Sequence, residues 1–292
     1  MVPPAGFRDS WRTVRGLRLH ALESVSSPSP PSASASPSPA VALLPGLVTA
    51  SRSMVPLARA LTAKGIQVRI LDPPGFGYSD KPRRSLSVGE QAALVAEWLA
   101  ASYGAPVQLL GNSFGTQVVA AVAAGHPHAV ARLILLSPTM SPYARRRLRW
   151  LATLPAPETP FSPRRESRWR VRLLGRVHRA LGDQPSLRVL NVAEYCCASL
   201  PRAIGTLRMA ARDPIDRALP RIGAPVLVIR AEHDRLSSPD WAGRLAALAP
   251  DGQVAHLPGA GHDVFHRAPD TVAAVAAPFL VSGAGSQVAR SE

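Results

Sequence analysis

The five residues Gly111-Asn112-Ser113-Phe114-Gly115 constrain this chain more than any other stretch. Before them runs Pro106-Val107-Gln108-Leu109-Leu110, an apolar segment with the length of a buried parallel strand. After them, Thr116 to Ala124 reads as a helix closed by Gly125. A G-x-S-x-G between strand and helix is the context of a nucleophile elbow, in which the serine sits on a sharp, strained turn with Oγ above the sheet. A Cβ two positions to either side would crowd that turn, so Gly111 and Gly115 are sterically required. Ser113 is therefore the candidate nucleophile.

The flanking sequence repeats the strand-then-helix theme. Trp11 to Leu22 alternates as two strands turned at Arg15-Gly16, with His20 a packed or edge residue of the second. Ser24 to Pro39 is almost entirely Ser, Pro and Ala, too poor in apolar surface to offset its conformational entropy, so a disordered surface loop is expected over 24–39. Strands follow at Val41–Leu44, Ile66–Leu71 and Leu133–Leu136, with helices near Arg52–Ala63 and Val88–Ala101. Strands alternating with helices imply βαβ units and a parallel sheet, hence an α/β fold. The glycine-rich run Asp72 to Asp80 lacks the lysine and the spacing of a phosphate loop.

The alternation stops at Thr139. From there to Leu219 the sequence is helical, arginine-rich and interrupted by prolines. It then resumes with the strand Pro225–Arg230, a helix near Trp241–Leu248, the strand Gln253–His256 and a last helix near Thr271–Phe279. The expected organisation is a core of residues 1–138 and 220–292 carrying one inserted segment, 139–219.

A serine hydroxyl needs a general base, itself oriented by a carboxylate. The order serine, acid, histidine accompanies G-x-S-x-G elbows. Glu232-His233-Asp234 follows directly from a strand, and Gly259-Ala260-Gly261-His262 follows the final one. Loops beyond the carboxyl ends of strands gather functional groups. Asp234 is preferred to Glu232 as the acid because it lies further from the strand end, and His262 is preferred as the base, with His266 its rival. Asp263, adjacent to His262, is poorly placed to reach its neighbour's Nδ1. His233 is expected to cap or pack at the strand end, and His126, His128, His178 and His256 to lie at the surface or in caps. An oxyanion needs preorganised N–H donors. Phe114, after the nucleophile, supplies one, and Leu47 supplies the other, in a loop that Gly46 allows to turn.

Together, Pro45-Gly46-Leu47, Asp72-Pro73-Pro74-Gly75-Phe76-Gly77-Tyr78-Ser79, the elbow, Glu232-His233-Asp234 and Gly261-His262 resemble the α/β-hydrolase superfamily, in its cap-bearing esterase and C–C hydrolase-like branch. The resemblance runs from about Trp11 to Leu280. It implies a mostly parallel sheet of the eight-stranded type flanked by helices, a helical cap over 139–219, and a serine hydrolase acting on an ester, thioester or related acyl bond. Epoxide hydrolases and haloalkane dehalogenases carry aspartate where Ser113 stands. Members usually have His-Gly where this chain has Pro45-Gly46; proline fixes φ and can brace the turn in its own way. The elbow is similar to that of meta-cleavage-product hydrolases, but Thr116 replaces a further glycine. C–C bond hydrolysis, acyl transfer to an alcohol and non-catalytic ligand binding remain as alternatives. No cofactor or metal is implied.

The formal charge is +15, and Lys64 and Lys81 are the only lysines among 34 basic residues. No nucleic-acid motif accompanies this charge and aromatics are sparse, so a small-molecule substrate is expected rather than nucleic acid. Runs such as Arg145-Arg146-Arg147-Leu148-Arg149 read as a solvated helix face, or as a basic face that guides an anionic substrate or meets an acidic partner protein. No apolar run approaches the roughly 18–20 residues of a membrane span, no signal peptide is apparent at the N-terminus, and the adjacent Cys196 and Cys197 lack disulfide geometry. A cytoplasmic protein is expected, and a homodimer is compatible with the sequence.

Overall fold

The computed structural model describes residues 2–25, 40–104, 106–153, 166–183 and 185–282. From residue 26 onward the expected Ser/Pro/Ala loop lies outside this set, and Ser24 itself ends a strand. Eight strands form one sheet: β1 (Phe7–Val14), β2 (Leu17–Ser24), β3 (Ala40–Leu44), β4 (Gln67–Leu71), β5 (Val107–Asn112), β6 (Val130–Leu136), β7 (Val226–Ala231) and β8 (Gly252–Leu257). Their order is β1-β2-β4-β3-β5-β6-β7-β8. β1 and β2 form an antiparallel hairpin turned at Arg15-Gly16, and β2 meets β4 antiparallel; every other pair is parallel.

Helices cover both faces, as a parallel sheet requires. The first helices are α1 (Val55–Thr62), α2 (Val88–Tyr103) and α3 (Phe114–Gly125). Next come α4 (Pro142–Arg147), α5 (Arg149–Thr153), α6 (Glu166–Leu181), α7 (Leu187–Ala198) and α8 (Leu200–Arg212). The chain continues with α9 (Pro239–Leu248), α10 (Val264–Arg267) and α11 (Pro269–Val281). The strand pleat divides the core in two. Ala42, Leu109, Leu133, Leu135 and Val228 pack on one side with Trp98, Val119 and Trp241. Val41, Leu110, Ile134 and Ile229 pack on the other with Leu57, Leu61, Val272 and Leu280.

Local signals fix the helix ends. Ser87 and Glu90 close a reciprocal capping box at the start of α2, and Gly104 ends it in the left-handed region at φ 66°. The helix expected from Arg52 opens as a short 3-10 turn, Ser51–Met54, and becomes α-helical at Val55, where Pro56 occupies the first turn. β3 and β5 run parallel, but the chain leaves them toward opposite sides of the sheet, to β4 and to β6, a topological switch point that creates a crevice outside their carboxyl ends. The segments after β3, β5, β7 and β8 all open onto that edge.

Candidate active site

The elbow has the strain the sequence implies. Ser113 lies at φ 54°, ψ −118°, between β5 and the first residue of α3. A β-carbon on Gly111 would lie 2.5 Å from the Gly115 carbonyl oxygen, and one on Gly115 would lie 2.5 Å from the Leu44 and 2.6 Å from the Pro45 carbonyl oxygens. Both glycines are thus close-approach positions, where any side chain displaces backbone. The strained turn is tied down by Ser113 N–H donating to Leu136 O at 3.0 Å, and by Thr116 N–H donating to Ser113 O at 3.1 Å.

Asp234 and His262 arrive from the ends of β7 and β8. His262 Nε2 lies 3.0 Å from Ser113 Oγ, and His262 Nδ1 lies 2.9 and 3.0 Å from the two Asp234 carboxylate oxygens. The carboxylate accepts from Nδ1–H, which leaves the Nε2 lone pair facing the serine hydroxyl. Asp234 is buried, and its Oδ1 also accepts from Leu236 N–H at 2.9 Å and Ser237 N–H at 3.1 Å. Burial works against its charge, yet the His262 hydrogen bond and charge and the Leu236 N–H hold its carboxyl below the usual range.

Gly46 and Leu47 line the same cavity as Ser113 and Phe114. Phe114 opens α3, so its N–H belongs to the helix end that has no intrahelical acceptor. The loop approaches the elbow so closely that a Cβ on Gly46 would meet Ser113 Cβ at 3.0 Å. The cavity measures about 1120 Å³. Its wall is largely apolar, including Phe265 of α10 and Met140, Leu148, Leu187 and Leu207 from the segment between β6 and β7, with Arg188 and Arg267 also in the lining. Such a volume slightly exceeds the roughly 300–1,000 Å³ of ordinary small-molecule sites.

The remaining candidates find other partners. Glu232 is exposed, and its carboxylate accepts Gly259 N–H at 2.8 Å, pinning the loop that carries His262. His266 Nδ1 lies 3.0 Å from the Ser53 carbonyl oxygen, and Asp263 pairs with Arg267. His233 is exposed rather than packed, and its backbone N–H donates to Ala260 O at 2.8 Å. His178, expected at the surface, is buried on α6 with Nδ1 2.7 Å from Tyr78 Oη, because α6 lies over the Asp72–Asp80 loop.

Two features escaped sequence reasoning. Arg230 is buried and donates to Ser237 O at 2.7 Å and Glu232 O at 2.8 Å, clamping the turn that presents Asp234. His20 is fully buried, with Nδ1 2.7 Å from Asp72 and Nε2 2.9 Å from Asp9. Burial alone would lower its pKa, but the two carboxylates raise it to about 9. This ion pair ties the Asp72–Asp80 loop to the segment after β3, since Asp72 also accepts Ser51 N–H at 2.6 Å and Tyr78 N–H at 2.8 Å. Neither arrangement has a contiguous motif to reveal it.

Residues 35–268 match the family model Hydrolase_4, serine aminopeptidase S33. The chain belongs to this family of α/β hydrolases. It is a hydrolase by that membership. A stretch of the polyketide synthase ThaQ of Burkholderia thailandensis is 30% identical over 243 residues; the match covers 78% of this chain and 11% of the synthase. Among solved structures, a membrane phospholipase A described as a bacterial virulence factor is 27% identical with a TM-score of 0.70, covering 94% of this chain and 86% of the phospholipase. A thermophilic esterase from Thermogutta terrifontis superposes with a TM-score of 0.68 at 20% identity over 94% of this chain and 98% of its own, which shows the shared fold. No helix among the described residues is long and apolar enough to cross a membrane.

Proposed function

We propose that this hydrolase cleaves an ester or thioester acyl bond of a small molecule through Ser113, His262 and Asp234. One observation carries the reading: His262 bridges Ser113 Oγ at 3.0 Å and Asp234 at 2.9 Å on the wall of a large, mostly apolar cavity. Ser113 Oγ attacks the acyl carbon while His262 Nε2 takes its proton. The tetrahedral oxyanion is held by the N–H groups of Leu47 and Phe114. On collapse, the imidazolium returns the proton to the departing alcohol or thiol, leaving an acyl-serine. His262 then deprotonates a water that attacks the same carbon, and the acid leaves with Ser113 regenerated. The chemistry requires no cofactor. Segment 139–219 acts as the cap that shapes the acyl site, a role supported by the share of the wall contributed by Leu148, Leu187 and Leu207.

A p-nitrophenyl ester chain-length series on wild type and Ser113→Ala tests the reading, with turnover expected only in the wild type. Rates on an acyl-N-acetylcysteamine thioester and an ester of the same acyl chain separate thioester from ester cleavage. Turnover of a vinylogous diketone but not of esters would instead assign C–C hydrolysis.

A further inference from the structure

We propose that the outward face of the inserted helices docks on an anionic lipid surface, with the cavity opening at the edge of that face. The proposal deepens the acyl-hydrolase reading by locating its substrate in a lipid assembly, although docking itself does not depend on turnover.

Leu174 and His178 of α6, and Ala193 and Glu194 of α7, turn inward onto the Gly77–Tyr78 segment. The opposite arcs of both helices therefore face outward together. On α6 that arc is Arg172, Leu173, Arg176 and Arg179, all exposed. On α7 it is Arg188, Val189, Val192 and Tyr195, the last two 63% and 49% exposed. Among the described side chains of these two helices the only carboxylate is Glu194, and it is buried. Asp183, in the turn between them, is drawn toward Arg59 at 3.7 Å.

The apolar exposure extends beyond α7. Leu200 and Ile204 are exposed on α8, at helical spacing from Leu207, which lines the cavity. Arg188 belongs both to the outward face and to the cavity lining. Eight of the thirteen large exposed apolar side chains among the described residues fall in the inserted segment. By sequence that segment carries sixteen arginines against six acidic residues. A protein partner would be met by a few anchors in defined pockets. Apolar groups spread over several helices and interleaved with arginines match an interfacial surface, which buries a shallow apolar layer and attracts anionic headgroups. Each arginine near such a surface is worth about fivefold in partition.

The test sediments the full chain with vesicles of phosphatidylcholine alone or mixed equally with phosphatidylglycerol, at about 0.15 M salt where screening is physiological. The wild type is expected to partition at least tenfold more strongly onto the anionic vesicles. Val192→Glu with Tyr195→Glu, and separately Arg172→Glu with Arg176→Glu, should each lower that partition tenfold or more. Both variants should keep the wild-type melting midpoint and rate on a soluble short-chain ester. Ser113→Ala should bind vesicles like wild type, so failure of the catalytic reading leaves this result distinct. Equal partition onto both vesicle types overturns the proposal. So does binding lost on arginine reversal but unchanged by Val192→Glu with Tyr195→Glu, which would reduce the interaction to charge attraction with no apolar docking.

Discussion

Gly46 sits against Ser113 so closely that a β-carbon on the glycine would lie 3.0 Å from the serine's own. The loop that carries Leu47 N–H, the proposed oxyanion donor, and the elbow that carries Ser113 are therefore positioned against each other directly. Gly46→Ala should push them apart by a few tenths of an ångström. Losing one oxyanion donor costs about 10²–10³ in kcat, so a partial displacement should lower kcat by about 10–100-fold. Steady-state kinetics should find KM little changed, since the ground-state carbonyl is held mainly by the cavity.

Asp234→Asn separates orientation from charge. The amide can still accept Leu236 and Ser237 N–H at its oxygen, so the turn should persist. Its NH₂ would donate to His262 Nδ1 and drive the ring proton onto Nε2, facing Ser113. With no lone pair toward the serine, kcat should fall on the order of 10⁴-fold, as tautomer loss does in serine triads. An unchanged thermal midpoint alongside that loss checks that the effect is on the base.

That Ser113, Asp234 and His262 come within hydrogen-bond reach of one another could be read from the sequence, because each lies in a short motif at the end of a strand. The sheet was equally legible, since its apolar runs are continuous and separated by amphipathic helices. His178 was not. Its burial depends on Tyr78, a hundred positions away, and on how α6 packs, which local polarity does not encode. Arg230 was hidden for the opposite reason: an arginine ending an apolar strand reads as a solvent-facing residue, whereas the turn it clamps is only seven residues further on. His233 sits two residues from the end of β7, and its exposure follows from Asp234 claiming the inward position.

His20 gives a stability signature of defined sign. Its folded pKa of about 9 exceeds the ordinary 6.5, so the folded state keeps a proton that the unfolded chain releases between those values. The contribution is full below pH 6.5 and is lost as pH rises through 9. His20→Asn leaves Asp72 buried without its cation and should cost about 3–5 kcal/mol near pH 6. Urea unfolding at pH 6 and pH 9.5 should find the gap between wild type and variant smaller at the higher value.

Glu194 predicts a second trend. Burial, reinforced by the charge of Asp72, pushes its carboxyl up to about 8 from an ordinary 4.5. Between those values the folded state holds a proton that the unfolded state has lost, so stability falls as pH rises. Glu194→Gln keeps an acceptor for Gly77 N–H and removes the titration. The variant should match wild type at pH 5 and melt higher at pH 8.5.

The most direct measurement is active-site labelling with a fluorophosphonate, followed by peptide mass spectrometry. If Ser113 is activated by His262, the probe should attach to Ser113 in the wild type, slow markedly in Asp234→Asn and vanish in Ser113→Ala. Probe attached elsewhere, or a wild type that neither labels nor turns over esters, would contradict the assignment of Ser113 as the nucleophile.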